Sequence, residues 1–317
     1  MENFKELYGT KRKDKKLQSR STKRLLFYIL IMFLPILQFC IFYIYINANS
    51  FILAFTEYAD LTAEPTFAGF DNFKVAFERL QESGFMFKNS IIFYLVNLFL
   101  GLGLAIIFSF YLAKQYVASG FFKTILFLPQ VLSGLVLGIL FNYVVEDVYV
   151  TLAKQFSVPV EGGLLSNPDT STQYWTVVFY SIFVSFGSNV LLITGAMSGI
   201  DESIIESSHL DGVNVIQEFI HITFPMIFPT FVTFFVVQLA GIFTNQMNLF
   251  TFYRNDAGDL STMGYFLYVE AIHSDVYVTK RMTYSQLSAL GLLLTAIVLP
   301  LTLISRKLLN KFGPSEE

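Results

Sequence analysis

The chain has 317 residues, of which 54% are hydrophobic and 14% are charged, and its formal net charge is -3. An ordinary soluble domain carries roughly 25% charged residues, so this composition excludes a conventional water-soluble protein and predicts one that lies in a lipid bilayer. The single cysteine, Cys40, excludes an internal disulfide and a multi-cysteine metal site, and no nucleic-acid partner is predicted.

The predicted elements begin with a basic segment, residues 1–24, which holds nine of the 21 lysines and arginines. Six windows without a charged side chain follow, at residues 25–56, 89–113, 124–145, 170–200, 219–253 and 282–305. Each is long enough for one helical crossing, because a hydrocarbon core about 30 Å thick needs about 20 helical residues. A backbone in lipid must satisfy its own hydrogen bonds, and these runs do not alternate as barrel strands do. We therefore predict an all-α integral membrane protein with six transmembrane helices in one domain, residues 25–311, and a short tail, residues 312–317.

The first window has an alternative interpretation, because the basic residues before it resemble the start of a secretory signal peptide. Its apolar run is longer than the core of a signal peptide and continues past Asn47 without a small-residue cleavage site. The sequence therefore favours a first helix that is retained in the mature protein.

The distribution of lysine and arginine predicts the orientation in the membrane. With the N-terminus inside, the inner segments hold 14 of these residues and the outer loops hold seven. This bias places both termini in the cytoplasm, and an even number of crossings agrees with it.

The predicted inner segment between the fourth and fifth crossings, residues 201–218, breaks the charge rule because it is acidic and has no lysine or arginine. Acidic residues at its start favour a helix N-terminus, and Gly212 favours a left-handed stop. The pattern predicts a helix, a turn and a second helix with one apolar face toward the membrane domain. The apolar face comprises Val215, Ile216, Phe219, Ile220 and Thr223. An acidic hairpin at the inner membrane surface favours a basic protein groove as its partner, although an ordinary solvated loop fits the same charge pattern.

The same segment carries a spaced motif. Glu206, Ser207 and Ser208 are followed after three residues by Gly212, and after nine more by Ile222-Thr223-Phe224-Pro225. This spacing resembles the Glu-Ala-Ala-x3-Gly-x9-Ile-x-Leu-Pro loop of the permeases of binding-protein-dependent ABC importers. Similarity to the carbohydrate branch of that family, the maltose and glycerol-phosphate type, extends to residues 67–73, 126–129 and 263–265. The sequence departs from the motif in its two serines and in Phe224, which a docking helix tolerates.

The resemblance implies a permease subunit of the cell membrane that pairs with a second, homologous permease and with two cytoplasmic ATPase subunits. An extracellular binding protein would deliver the carbohydrate. The chain would then be a transport subunit without enzyme activity or cofactor, since the ATPase subunits bind the ATP and no Gly-x4-Gly-Lys-Ser/Thr motif occurs here. The implied coupling loop is residues 200–225, where Glu206 would meet a basic residue of the ATPase. Its implied coupling residues are Glu206, Ser207, Ser208, Asp211, Gly212, Ile222 and Pro225.

Polar residues inside the charge-free windows are candidates for a solute pathway. The fifth window offers Gln238, Asn245 and Gln246 at i, i+7 and i+8, which predicts one amide-bearing helical face, and the fourth offers Tyr180, Ser188 and Asn189. Amides and hydroxyls suit a sugar, whose hydroxyls both donate and accept hydrogen bonds. For each amide the alternative is a structural hydrogen bond between helices.

Other functions have weaker support in the sequence. A secondary transporter normally shows an intramembrane carboxylate or histidine, and a membrane enzyme needs a catalytic cluster at the interface. His209, His221 and His273 are scattered and have no metal-binding spacing. An ABC importer of a solute other than a sugar also stays open, and the sequence does not identify the sugar.

Overall fold

The computed structural model describes residues 24–58, 64–272 and 282–314, and these residues are mainly helical. In chain order the helices are α1 (Arg24–Ala54), α2 (Asp71–Glu82), α3 (Gly84–Ala113), α4 (Ser119–Val131), α5 (Gly134–Gln155), α6 (Thr170–Met197), α7 (Glu202–Leu210), α8 (Val215–Ala240), α9 (Leu249–Tyr253), α10 (Met263–Ile272) and α11 (Tyr284–Phe312). Two short strands, β1 (Thr56–Glu57) and β2 (Thr66–Phe67), form an antiparallel pair after α1. Among the described residues, α1, α3, α5, α6, α8 and α11 are long and apolar enough to cross a membrane, which confirms the prediction of six crossings.

Side-chain caps define where three of the long helices begin. The Asp169 carboxylate accepts hydrogen bonds from the backbone N–H groups of Ser171 and Thr172 at the start of α6, both at 3.2 Å. Capping boxes start α8, with Asn214 and Gln217, and α11, with Thr283 and Gln286. Each cap satisfies backbone donors that have no partner within the helix, so the sequence fixes these boundaries locally.

The larger hydrophobic core lies between α3, α6, α8 and α11. It includes Leu102, Val190, Leu239 and Leu290, each at most 4% exposed. A second apolar cluster joins the first part of α3 and of α6 to the segment that contains α9 and α10, and includes Phe93, Val177, Leu249, Leu260 and Tyr265. The four-helix core therefore holds the start of α8 in a fixed position beside the ends of α3 and α6.

The helix α1 differs from the other crossings because its most apolar stretch has no buried residue. Contacts to the rest of the chain are made by its last residues, near Ala54, which pack on α2 and α11. The Asn72 side chain of α2 donates hydrogen bonds to the carbonyls of Ala54 and Thr56 at 3.1 and 3.0 Å. The C-terminal end of α1 is thus anchored, while its long apolar surface faces outward.

The third crossing differs from the sequence prediction. The window 124–145 predicted one helix, whereas α4 ends at Val131, Leu132 is extended, and α5 then runs to Gln155. Pro129 weakens the last turn of α4 because it lacks a backbone donor. The charge-free window ended before Glu146 because that residue is charged. In the structure its carboxylate accepts hydrogen bonds from the Leu165 N–H, the Ser166 N–H and the Ser166 hydroxyl at 2.7, 3.0 and 2.5 Å.

The fifth crossing also ends earlier than predicted. The window 219–253 predicted a helix that includes Asn245 and Gln246, but α8 ends at Ala240 and a turn follows from Gly241 to Asn248. The Asn245 side chain accepts the backbone N–H of Met247 at 2.8 Å, so it competes with helical hydrogen bonding. Met247 and Asn248 have φ values of 52 and 60°, which an α-helix does not allow.

Candidate functional site

The acidic segment after α6 forms the predicted helix, turn and second helix. Asp201 caps α7 by accepting the Ser203 N–H at 3.0 Å, and hydrogen bonds from the Ser203 backbone and side chain lower the pKa of this carboxyl. After Asp211 the chain turns at Gly212, whose φ of 81° is in the left-handed region. The turn ends at the capping box of α8, so local sequence signals determine both helices of this hairpin.

The helix α7 presents most of its surface to its surroundings. Glu206, Ser207 and Asp211 are exposed, and Leu210 is 89% exposed. Ser208 is the buried residue of this helix, and its hydroxyl donates to the Ile205 carbonyl at 2.7 Å. A helix of two and a half turns with so little buried surface is not stabilised by its own packing, so its exposed face is available to a partner.

The second helix of the hairpin is only partly packed as predicted. Thr223 is buried, and the Phe219 ring packs in a tilted orientation 5.1 Å from the Phe110 ring, whereas Val215, Ile216 and Ile220 are exposed. The motif residues Ile222 and Pro225 are half-buried in and just after a π-helical turn, Phe219–Thr223. The predicted apolar face is thus confirmed for two of its five members.

A cavity of about 340 Å³ lies between α3, α6 and α8 and reaches the turn after α8. Three of the predicted pathway residues line it, namely Asn189, Gln238 and Asn245. No described residue that lines the cavity is charged, and Phe234 and Tyr94 supply aromatic surface. Amides beside aromatic rings provide both hydrogen-bonding groups and an apolar face.

The prediction that Gln238, Asn245 and Gln246 share a helical face is wrong, because Asn245 and Gln246 lie beyond the end of α8. The turn nevertheless brings Asn245 back to the cavity, while Gln246 is outside its lining and its Oε1 atom is buried without a hydrogen-bond partner among the described residues.

Tyr180 and Ser188 do not line this cavity either. Nine helical residues turn through about 900°, so Tyr180 is on the face of α6 opposite Asn189. There its ring packs 4.7 Å from that of Phe141 and 4.9 Å from that of Phe252. Their role in a solute pathway stays a prediction, and the structure gives Tyr180 a packing role in addition.

Comparisons with known proteins decide the family. Residues 97–315 match the family described as binding-protein-dependent transport system inner membrane component, which is more than half of the chain. The chain belongs to this family. The matched residues include the whole of the α7 hairpin and most of the cavity lining of this permease.

Curated relatives of the permease agree with this assignment. It is 27% identical over 270 residues to the probable ABC transporter permease protein YesP of Bacillus subtilis, and the match covers 85% of each chain. It is 24% identical over 292 residues to the arabinooligosaccharides transport system permease protein AraP of the same organism, which covers 87% of this chain and 86% of AraP.

The fold of the permease also resembles a solved structure. A chain from the crystal structure of a bacterial alginate ABC transporter in complex with an alginate pentasaccharide-bound periplasmic protein superposes with a TM-score of 0.72. The match covers 90% of the permease and 94% of that chain at 18% identity, which establishes a shared fold.

Four cavity residues with hydroxyl or amide side chains were not predicted from the sequence of the permease: Tyr94, Asn97, Ser181 and Ser185. The Ser181 hydroxyl donates to the Asn97 Oδ1 atom at 3.3 Å, which links α6 to α3. The Tyr94 hydroxyl is buried without a hydrogen-bond partner among the described residues. Each is a polar residue inside a charge-free window, which is the criterion that identified Asn189. The sequence does not show which helix faces pack together, so it could not select these four.

Other predicted residues lie outside what the structure describes. These are His273, almost all of the basic segment 1–24, and the last three residues of the tail. Of the remaining histidines, His209 contacts the buried Glu218 carboxylate at 2.9 Å and His221 contacts the Gln217 carbonyl at 3.1 Å.

Proposed function

We propose that this permease forms half of the translocation pathway of an ATP-driven importer for a neutral sugar or oligosaccharide. The observation that carries the proposal is the cavity between α3, α6 and α8, because its amides, hydroxyls and aromatic rings match the chemistry of a sugar. The relative AraP is named for the transport of arabinooligosaccharides, which supports an oligosaccharide as the solute.

The partners follow from the family. We propose a second, homologous permease, two cytoplasmic ATPase subunits that bind the ATP, and an extracellular binding protein that delivers the sugar. The periplasmic protein in the alginate transporter structure supports such a delivery step. The chain is then a transport subunit of the cell membrane with both termini in the cytoplasm, and α7 is the helix that the ATPase moves.

An acidic oligosaccharide is a second candidate solute, because the solved transporter that shares this fold carries alginate. The cavity favours a neutral sugar, since no described lining residue supplies a positive charge for a carboxylate. A solute that is not a sugar remains the broader alternative.

Reconstitution tests the function directly. The complex purified through a tag on this chain is placed in liposomes with its binding protein, and uptake of labelled neutral and uronate oligosaccharides is measured with and without ATP inside. We expect ATP-dependent uptake of a neutral oligosaccharide. Uptake driven by an ion gradient without ATP would instead establish a secondary transporter, and preference for the uronate would reverse the solute assignment.

The role of α7 is tested by charge reversal at Glu206, which is exposed on this helix. If its carboxylate meets a cation of the ATPase, Glu206→Lys turns an attraction into a repulsion of a few kcal/mol in a partly desolvated contact, and receptor-stimulated ATP hydrolysis and uptake should both collapse. Glu206→Gln removes the attraction without adding repulsion, so its effect should be intermediate. Full activity of Glu206→Lys would show that this face does not contact the ATPase.

A further inference from the structure

The most deeply buried charged side chain of the described residues is Glu218, which lies at the start of α8 and is 0% exposed. Each of its carboxylate oxygens faces a different element. Oε1 forms an ion pair with the Lys114 ammonium, directly after α3, and Oε2 contacts His209 Nε2 of α7 at 2.9 Å. One carboxylate thus joins two membrane-spanning helices to the short helix α7.

The burial of Glu218 makes the loss of either of its contacts costly. The Lys114 side chain is 17% exposed, whereas the His209 side chain is 55% exposed. A buried carboxylate that loses one of its partners keeps the cost of its desolvation, so native contacts of this kind are held in one geometry. The exposed imidazole is therefore fixed by the buried carboxylate, and through it α7 is fixed to α3 and α8.

Few other contacts fix α7. Its buried residue, Ser208, bonds within the helix itself, and its end at Leu210 is exposed. A cavity of about 450 Å³ separates α7 from the ends of α3 and α6, with Glu202 and Ile205 on one side and Phe110 and Met197 on the other. Glu218 and its partner Lys114 also line this cavity.

We propose that Glu218 is a positioning residue that transmits the movement of α7 to the transmembrane helices through its contacts with His209 and Lys114. The proposal rests on the proposed role of α7 as the helix that the ATPase moves. With the bridge intact, a displacement of α7 displaces α3 and α8 together. Without it, α7 moves within the space of the cavity, and ATP is hydrolysed without a matching movement of the pathway.

The test compares solute molecules transported per ATP hydrolysed, because a folding defect lowers both rates together and leaves their ratio unchanged. In the reconstituted complex, Glu218→Gln keeps the shape of the side chain and removes its charge. We expect the ratio to fall by about five-fold or more, the lower end of typical coupling between sites. His209→Ala removes the link to α7 at an exposed position, leaves no buried vacancy, and should lower the ratio as well.

A double-mutant cycle tests whether the pair acts together. Lys114→Gln should lower the ratio, and Glu218→Gln in that background should have little further effect, because the ion pair is already lost. Lys307→Gln makes the same substitution at an exposed lysine of α11 and should retain the native ratio. Additive effects of Lys114→Gln and Glu218→Gln would overturn the proposal.

A distance measurement tests the proposal without reference to transport. In a chain with Cys40→Ala, spin labels at Ile204→Cys of α7 and Tyr116→Cys after α3 report the distance between the two elements; both native side chains are exposed. We expect Glu218→Gln and His209→Ala to broaden the distance distribution. A native distance distribution in these variants would overturn the bridge, whereas a wild-type complex without ATP-dependent uptake would overturn the proposed function alone.

Discussion

At the scale of single residues, the cavity owes its polar lining to side chains from three parts of the chain. Asn189 extends from α6, Gln238 from the last turn of α8, and Asn245 from the turn after it. Asn245 also accepts the Met247 N–H, which leaves its amide N–H2 group free to donate to a solute. Among the described residues, the side chains of Gln238 and Asn189 form no such hydrogen bond, so a substitution at Gln238 tests solute binding with little effect on the backbone.

We expect Gln238→Leu to impair uptake and to leave assembly of the complex intact. Leucine preserves the approximate volume but removes an amide, and the loss of one hydrogen bond to a sugar costs about 0.5–1.5 kcal/mol. The measurement is the concentration dependence of uptake, with the amount of complex determined on a gel. Gln81→Leu makes the same change at an exposed residue of α2 and should be neutral. A loss of assembly with Gln238→Leu would favour a structural hydrogen bond between helices.

At the scale of elements, the packing of α4 on α6 depends on one glycine. A Cβ atom at Gly187 would collide with the backbone carbonyl of Leu126, and backbone cannot move aside as a flexible side chain does. The Gln130 amide also donates to the Val184 carbonyl at 2.8 Å, which adds a polar contact at the same crossing. Close approach of helices at small residues is the usual means of association in a membrane, where lipid is as apolar as leucine.

Gly187→Ala should therefore separate α4 from α6 and destabilise the permease by about 1–3 kcal/mol, the usual cost of overpacking. Gly195→Ala is the matched control on the same helix, because a Cβ atom there has no neighbour within 4 Å. It should be neutral or slightly stabilising, since alanine is the better helix former. Thermal unfolding of both variants in the same detergent checks this. Equal melting temperatures would show that α4 adjusts without cost.

The turn of the α7 hairpin gives a second prediction at this scale. At a φ of 81°, Gly212→Val is strained and should misdirect α7 relative to α8, although no charge changes. Gly212→Asn should retain most of the function, because asparagine tolerates left-handed backbone better than a β-branched residue. Uptake per ATP hydrolysed distinguishes the two variants. Equal activity of both would mean that the turn does not set the direction of α7.

The elements also show how far the sequence determines the fold. The number of crossings, the capped start of α6 and the α7 hairpin were predictable, because each rests on local hydrophobicity or on a local hydrogen bond. The ends of α5 and α8 were not. Glu146 lies inside α5 because residues some twenty positions later satisfy its carboxylate. The helix α8 ends at Ala240, and the turn after it is held in a non-helical form where Asn245 accepts the Met247 N–H. Composition does not reveal either contact.

The cavity could be predicted only in part for a similar reason. Its polar residues can be recognised as exceptions within apolar windows. Which side of α3 packs against α6 and α8, however, depends on tertiary packing. The bridge at Glu218 could not be predicted from the sequence either, since Lys114 and Glu218 are more than a hundred residues apart. The sequence shows Glu218 merely as one of five acids in the segment 201–218.

At the scale of the whole molecule, contacts between distant segments define two sides. The ion pair of Lys114 with Glu218 brings the end of α3 and the start of α8 together on one side. At the other end of α3, the Asn89 amide donates to the carbonyls of Asp259 and Ser261 at 2.6 and 3.0 Å, so the segment before α10 lies on the opposite side. Because six consecutive crossings alternate in direction, the α7 hairpin and the C-terminal end of α11 fall on the same side. From the bias of lysine and arginine we propose that this side is cytoplasmic.

The orientation is tested with single cysteines in a chain that carries Cys40→Ala. Asp71→Cys and Asp256→Cys lie on the proposed outer side, are exposed, and should react with a membrane-impermeant maleimide on intact cells. Glu202→Cys, exposed on α7, and Lys311→Cys, near the end of α11, should react after the membrane is made permeable. Because one side carries the α7 hairpin and the end of α11, these two positions must behave alike. If they react on intact cells while Asp71→Cys and Asp256→Cys do not, the chain has the reverse orientation and α7 cannot contact a cytoplasmic ATPase.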